Sequence, residues 1–355
     1  RGLYHRRGPE RGRRPHALDM AHAHLTGTGL YAPERVIDNA YFDRMYEQDV
    51  DTFLRTRRGI RERRYAAADQ ATSDLVVEAA RVALDRSGKT ADQVDLIIVA
   101  TDTPDYLSPS TAAIVQHKLG ASKAGSFDLN TACAGFVTAL DVARRYVESE
   151  PERYRVVLVA GAYLMSRFID YRHRNTATLF ADGAGVVIVE PGDDEGGILT
   201  SKLETQGEFA EHMGIYVGGA ARPADAEAVA NQEHLLQFRQ KFPSTFNREN
   251  WSALVQLLSE RTGIAPDQVD RFFFTQINLE SIHEALDELD LPHEHAHNVM
   301  ERYGYTGSAC VPMALADAAD KGLLQRGDSL FLVASGGGAA LAAMALRWSY
   351  DTQAQ

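Results

Sequence analysis

The chain has 355 residues, 45% hydrophobic and 24% charged, with a formal net charge of −12. That composition describes an ordinary globular protein, large enough for one big domain or two of about 150 residues. It excludes a membrane span, since no apolar stretch reaches roughly 18 residues, and two cysteines in so long a chain exclude a disulfide framework and favour a reducing, cytoplasmic setting.

The first segment, "RGLYHRRGPERGRRPHALD", carries six Arg against Glu10 and Asp19 and lacks the apolar centre of a secretory signal. Residues 1–20 read as a disordered leader ahead of Met20. Residues 21–355 keep 31 Lys and Arg against 47 Asp and Glu, a net of −16, which argues against nucleic acid as a partner. Next comes "RTRRGIRERR" (55–64), six Arg in ten residues beside Phe53. Such a run is commonly a solvated face, but it also suits a nucleotide phosphate or a phosphopantetheine arm.

From here the chain says the same thing twice. "SDLVVEAARVALD" from Ser73, a predicted N-cap, has helical apolar spacing, and so does "ENWSALVQLLSER". "RSGKTADQVD" (86–95) and "RTGIAPDQVD" (261–270) follow them, with Gly88 and Gly263 placed to end each helix. Apolar strands come next in both copies, "LIIVAT" (96–101) and "RFFFTQI" (271–277). Then "TACAGFVTALDVA" (131–143) pairs with "SACVPMALADAA" (308–319), aligning Cys133 with Cys310, and the strands "VVLVAGA" and "LFLVASG" follow. A period of 175 residues means a duplicated domain rather than a solenoid. The predicted fold is α/β, two halves of strands and helices packed on each other. Residues 21–195 form the first half and 251–355 the second. The more polar stretch 196–250 is an expected connection and elaboration over the mouth of a site.

Cys133 opens a predicted helix, flanked by Ala132, Ala134 and Gly135. Unpaired N–H groups and the helix dipole there favour a thiolate nucleophile; a free cysteine is otherwise a small buried hydrophobe. Cys310, with Pro312 after it, reads as packing. Gly336, Gly337 and Gly338 lie on a turn between two predicted strands, where backbone N–H groups can face an oxyanion. "HEHAH" (293–297) has metal-like spacing but sits in a loop, so no metal site is assigned.

"NTACAGF", "TPDYLSPSTAAIVQHKLG", "RNTATLFADGAG", "RYGYTGSACVPMAL" and the closing "SGGGAALAAMALRW" occur in an order that resembles the thiolase superfamily, specifically β-ketoacyl-acyl-carrier-protein synthase III, from about Leu25 to Trp348. The resemblance implies a thiolase-like fold, layered α-β-α-β-α, and a homodimer. It implies an acyl-enzyme thioester on Cys133, drawn from acyl-coenzyme A as substrate or from acyl-carrier protein, with no tightly bound cofactor. The N–H groups of Cys133 and Gly337 would form the oxyanion hole. Phe53 falls where the family stacks a Trp on adenine, Arg57 and Arg174 where it contacts phosphate or base, and Asn278 is retained beside the site. Two positions depart from the family: Thr275 stands where it has His and Tyr305 where it has Asn. Each keeps a hydroxyl donor but neither is an imidazole base, so His297 is a candidate stand-in.

The expected activity is therefore an acyltransferase of fatty-acid or polyketide type, ending in an atypical Claisen condensation to a 3-oxoacyl product. Acyl transfer to an alcohol or amine of a secondary metabolite, thioester hydrolysis, and a non-catalytic partner subunit are the alternatives. Thr275→Ala and Tyr305→Phe are expected to slow the second step more than acylation.

Overall fold

The computed structural model describes residues 21–192 and 196–352. The expected leader, residues 1–20, lies outside them, apart from its boundary at Ala21. In chain order the strands are β1 (His22–Tyr31), β2 (Arg35–Asp38), β3 (Glu62–Tyr65), β4 (Leu96–Ala100), β5 (Gly125–Leu129), β6 (Val157–Leu164) and β7 (Asp182–Gly192). They continue with β8 (Gly197–Thr205), β9 (Met213–Gly214), β10 (Gln237–Phe238), β11 (Arg271–Phe274), β12 (Ser329–Gly336) and β13 (Ala340–Arg347). Two of the four sheets make the frame: β1-β7-β6-β4-β5, and β8-β13-β12-β11.

The duplication is visible in that order. In the first sheet β4 runs parallel to β6 and β5, while β7 pairs antiparallel with β6 and β1. In the second, β11 runs parallel to β12, and β13 pairs antiparallel with β12 and β8. A parallel bridge from Phe272 to Ala296 stands where β5 stands in the first copy. Residues 197–205, expected within the connection, are thus the second sheet's counterpart of β1.

Helices set the layers. Thr72–Ser87 and Thr111–Leu119 cover the outer face of the first sheet, and Phe246–Thr262 covers that of the second, with Leu279–Glu288 packed on it. Between the sheets lie Gly135–Ser149 and Cys310–Asp320. The latter is buried at every position but Asp320, as a helix apolar all round must be. Central strands such as β4, "LIIVA", are buried throughout, which is why they lack the alternation of a half-exposed sheet. Gly88 and Gly263 end their helices with φ of +67° and +72°. Ser73 is not the N-cap: the helix starts at Thr72, and Asp74 Oδ2 accepts the Ala71 N–H at 2.8 Å.

Candidate active site

The nucleophile candidate stands where β5 hands over to the central helix. Asn130 Oδ1 accepts the Ala132 N–H at 2.9 Å, and Ala132 takes φ +47°, an unfavourable conformation for an L-residue. A 3-10 turn, Ala132–Ala134, follows and runs into Gly135–Ser149. The second copy repeats the arrangement, with the turn Gly307–Ala309 running into Cys310–Asp320. Gly336, at the end of β12, lies against the Cys133 turn. A Cβ there would sit 2.6 Å from Thr131 O and 2.8 Å from Cys133 N.

Cys133 is 3% exposed and opens into an inner cavity of about 200 Å³. Thr275, Tyr305, Ser335 and Gly336 line that cavity with it, and Met213, Phe238, Phe242, Phe246 and Ile277 make it apolar. A wider canyon of about 1270 Å³ carries Arg58, Arg172, His173, Arg174, Arg239, Lys241 and Asn278. The two share Phe238, Phe242, Asn247, Ile277 and Ser281, so they adjoin, with Cys133 on the wall of the inner one. Gly337 does not line the cavity; it stands one residue on, where a Cβ would lie 3.6 Å from Ala132 Cβ.

Charge at the sulfur is governed by burial more than by the helix. Desolvation pushes the Cys133 thiol well above the ordinary cysteine range, and the carboxyl of Asp102 pushes in the same direction. Against them, the side chain of Tyr305, on the same cavity, lowers the thiol. Burial therefore works against the expected thiolate, while the helix end works for it. Cys310 is also buried, outside the cavity, and desolvation carries it up to about 12.

Tyr305 is held by its backbone, N–H to Leu179 O at 2.9 Å and O from Ala181 N–H at 2.8 Å. Its ring packs 5.3 Å from Phe180. Thr275 follows β11, and its hydroxyl is engaged with Ser335: Oγ1 accepts the Ser335 N–H at 3.1 Å and reaches Ser335 O at 3.4 Å. Among the described residues no histidine lines the inner cavity. His297 instead holds Asp317 Oδ2 through Nε2 at 2.7 Å.

The arginine run disperses. Arg55 pairs with Asp51, Arg61 with Glu301 and Arg64 with Glu62. Arg63 is fully buried, donating to Ile37 O, Asn39 Oδ1 and Thr178 O. Arg57 pairs with Glu280 at 2.7 Å, and neither it nor Phe53 lines the canyon. Arg58 does: its guanidinium lies 4.8 Å from the Phe53 ring centroid and donates to Asn278 Oδ1 at 3.0 Å. Arg174 donates to Gln48 on the canyon wall. Asn278 caps Leu279–Glu288, accepting the Glu280 N–H at 3.1 Å. No cluster of metal-ligating side chains occurs among the described residues; His293, of "HEHAH", bonds Asp287 Oδ1 at 2.8 Å.

Sequence reading missed Arg58, Ser335 and the apolar lining from Met213, Phe238 and Phe242. Arg58 had a signal, its place beside an exposed Phe; the lining comes from an irregular segment without periodicity to read.

Family models described as 3-oxoacyl-[acyl-carrier-protein (ACP)] synthase III and its C-terminal region match residues 127–207 and 259–348. The beta-ketoacyl-[acyl-carrier-protein] synthase III of Syntrophomonas wolfei is 38% identical over 327 residues, 92% of this chain and 98% of its own. That of Caldanaerobacter subterraneus is 38% identical over 92% of this chain and 98% of its own. Among solved structures, the Thermus thermophilus synthase III superposes with a TM-score of 0.83 at 34% identity, covering 92% of this chain and 99% of that one. The priming β-ketosynthase of the R1128 polyketide pathway gives 0.85 at 29%, covering 94% and 98%. The chain belongs to the β-ketoacyl-acyl-carrier-protein synthase III family, thiolase-fold acyltransferases.

Proposed function

We propose that the chain takes an acyl group from coenzyme A or acyl-carrier protein onto Cys133 as a thioester and extends it by Claisen condensation to a 3-oxoacyl product. The observation that carries this is Cys133 on the wall of an apolar cavity that shares lining residues with a cationic canyon. An acyl chain suits the cavity, and a phosphate-bearing pantetheine carrier suits Arg58, Arg174, Arg239 and Lys241. The Cys133 sulfur attacks the thioester carbonyl, the carrier thiolate leaves, and the thiol proton passes to it. The N–H groups of Cys133 and Gly337, with the Tyr305 hydroxyl beside the sulfur, are the proposed donors to the oxyanion. A malonyl thioester then loses CO2, its carbanion attacks the acyl carbonyl, and Cys133 departs. We place this in a cytoplasmic homodimer.

A second reading has one observation in its favour. With no histidine on the inner cavity and the Thr275 hydroxyl engaged by Ser335, donors for a malonyl enolate are sparse. Transfer of the acyl group to an alcohol or amine needs no enolate.

Intact-protein mass spectrometry with a panel of acyl-coenzyme A thioesters tests both. The expected result is a mass gain in wild type and none in Cys133→Ala. Malonyl-carrier protein should then discharge the adduct to a 3-oxoacyl product; discharge by small alcohols or amines alone establishes the second reading. No adduct across the panel overturns both and leaves a partner subunit.

A further inference from the structure

One buried cation has no task in the chemistry above. Arg63, on β3, is fully buried, and its guanidinium lies 4.8 Å from the Phe42 ring centroid. Nη1 donates to Ile37 O at 3.1 Å, both terminal nitrogens reach Asn39 Oδ1 at 2.9 Å, and Nη2 donates to Thr178 O at 2.7 Å. These acceptors are two carbonyls and a carboxamide, none of them a carboxylate. Nε is enclosed and has no hydrogen-bond partner among the described residues. Burial lowers the group to about 10, so it keeps its charge at neutral pH. A charge buried on neutral acceptors alone is costly, which turns attention to what it holds.

Thr178 opens the stretch on which Tyr305 is mounted. Leu179 O accepts the Tyr305 N–H at 2.9 Å, and the Ala181 N–H donates to Tyr305 O at 2.8 Å, so Phe180 and Tyr305 form a parallel bridge. Gly304, just before Tyr305, packs on Arg63 itself. A Cβ there would lie 2.7 Å from Arg63 Cβ and 3.3 Å from Leu179 O. Arg63 therefore bonds one side of the bridge and touches the other. Towards the canyon, Thr178 Oγ1 donates to Arg174 O at 2.9 Å, and Arg174, Thr176 and Leu179 line the wall there. We propose that Arg63 is a positioning residue for the reaction at Cys133: it fixes the stretch 178–181 and so sets where the Tyr305 side chain stands in the inner cavity. The inference rests on the proposed function only for the reaction in which Tyr305 takes part. A planar guanidinium suits the task, because one rigid fork reaches β2, Asn39 and Thr178 together.

The test is a double-mutant cycle in the full chain, from wild type, Arg63→Lys, Tyr305→Phe and the double variant. Lysine keeps the charge and loses the fork. Two rates at Cys133 are read by intact mass, with Cys133→Ala as the blank. One is acylation by acyl-coenzyme A; the other is alkylation by iodoacetamide near neutral pH, in which sulfur displaces iodide and a C–S bond replaces C–I. Arg63→Lys is expected to slow both by roughly tenfold. In the Tyr305→Phe background it should change them by less than about twofold, since the group it positions is already gone. A merely structural Arg63 gives the same slowing in both backgrounds, which overturns the proposal. Wild-type rates in Arg63→Lys, or in Tyr305→Phe, overturn it too. Urea unfolding is followed alongside. If Arg63→Lys does not fold, Asn39→Ala, which removes one acceptor and leaves the guanidinium, takes its place in the cycle. Alkylation needs no carrier-borne substrate, so a chain that takes no acyl group fails the proposed function while the cycle still decides this inference.

Discussion

At the scale of single residues, Tyr305 and Thr275 stand in the inner cavity in different ways. Tyr305 lines the inner cavity with Cys133, and its side chain lowers the thiol. Tyr305→Phe removes a donor that favours the thiolate, so acylation should slow by roughly tenfold in single-turnover mass measurements. The sequence reading instead expects the second step to slow more than acylation, and measuring both rates in this variant decides between the two. Thr275 is tied to backbone instead. Thr275→Val leaves the Ser335 N–H without its acceptor in a buried place, costing about 1–3 kcal/mol as a lower urea midpoint. Thr275→Ser should restore it.

Among elements, the fit between the end of β12 and the turn Ala132–Ala134 decides whether a cysteine at that point becomes a site. Gly336 has no room for a methyl, with Thr131 O, Cys133 N and Ala134 N all within 2.9 Å of where it would be. Gly336→Ala is expected to cost about 1–3 kcal/mol by overpacking and to displace the turn, reducing acylation about 100-fold, as misplacement of a reacting group does. Gly207→Ala, where nothing lies within 4 Å, should match wild type in both unfolding and acylation. A similar tight approach joins the halves: a Cβ at Gly185 on β7 would meet Met313 N at 2.6 Å.

For the whole molecule, a polar network locks the second half and thereby the end of β11. Asp317 on the central helix holds His297, Lys321 at 2.8 Å, and Arg302. His297 N–H donates to Phe272 O at 3.0 Å, and its carbonyl accepts Gln276 Nε2 at 3.0 Å, next to Thr275. Burial alone would raise the Asp317 carboxyl, but bonds from His297 and Lys321 outweigh it and hold it at about 2, from 3.8. A depressed carboxylate adds stability above its unfolded pKa and loses it as pH falls through the folded one, here between about 4 and 2. Asp317→Asn should therefore be about 2 kcal/mol less stable than wild type near pH 7. In denaturant melts that difference should shrink progressively below pH 4.

Periodicity, helix stops and the internal repeat determined the duplicated α/β plan, because burial pattern and turn chemistry are local properties of the chain. The Cys133, Thr275 and Tyr305 set was likewise legible through motif order, and the structure lines one cavity with all three. Tertiary structure alone decided which arginine of six reaches the canyon and that His297 faces Asp317. Those outcomes depend on which side chains lose water together and which charges meet across sheets, relations between distant segments that no local pattern encodes.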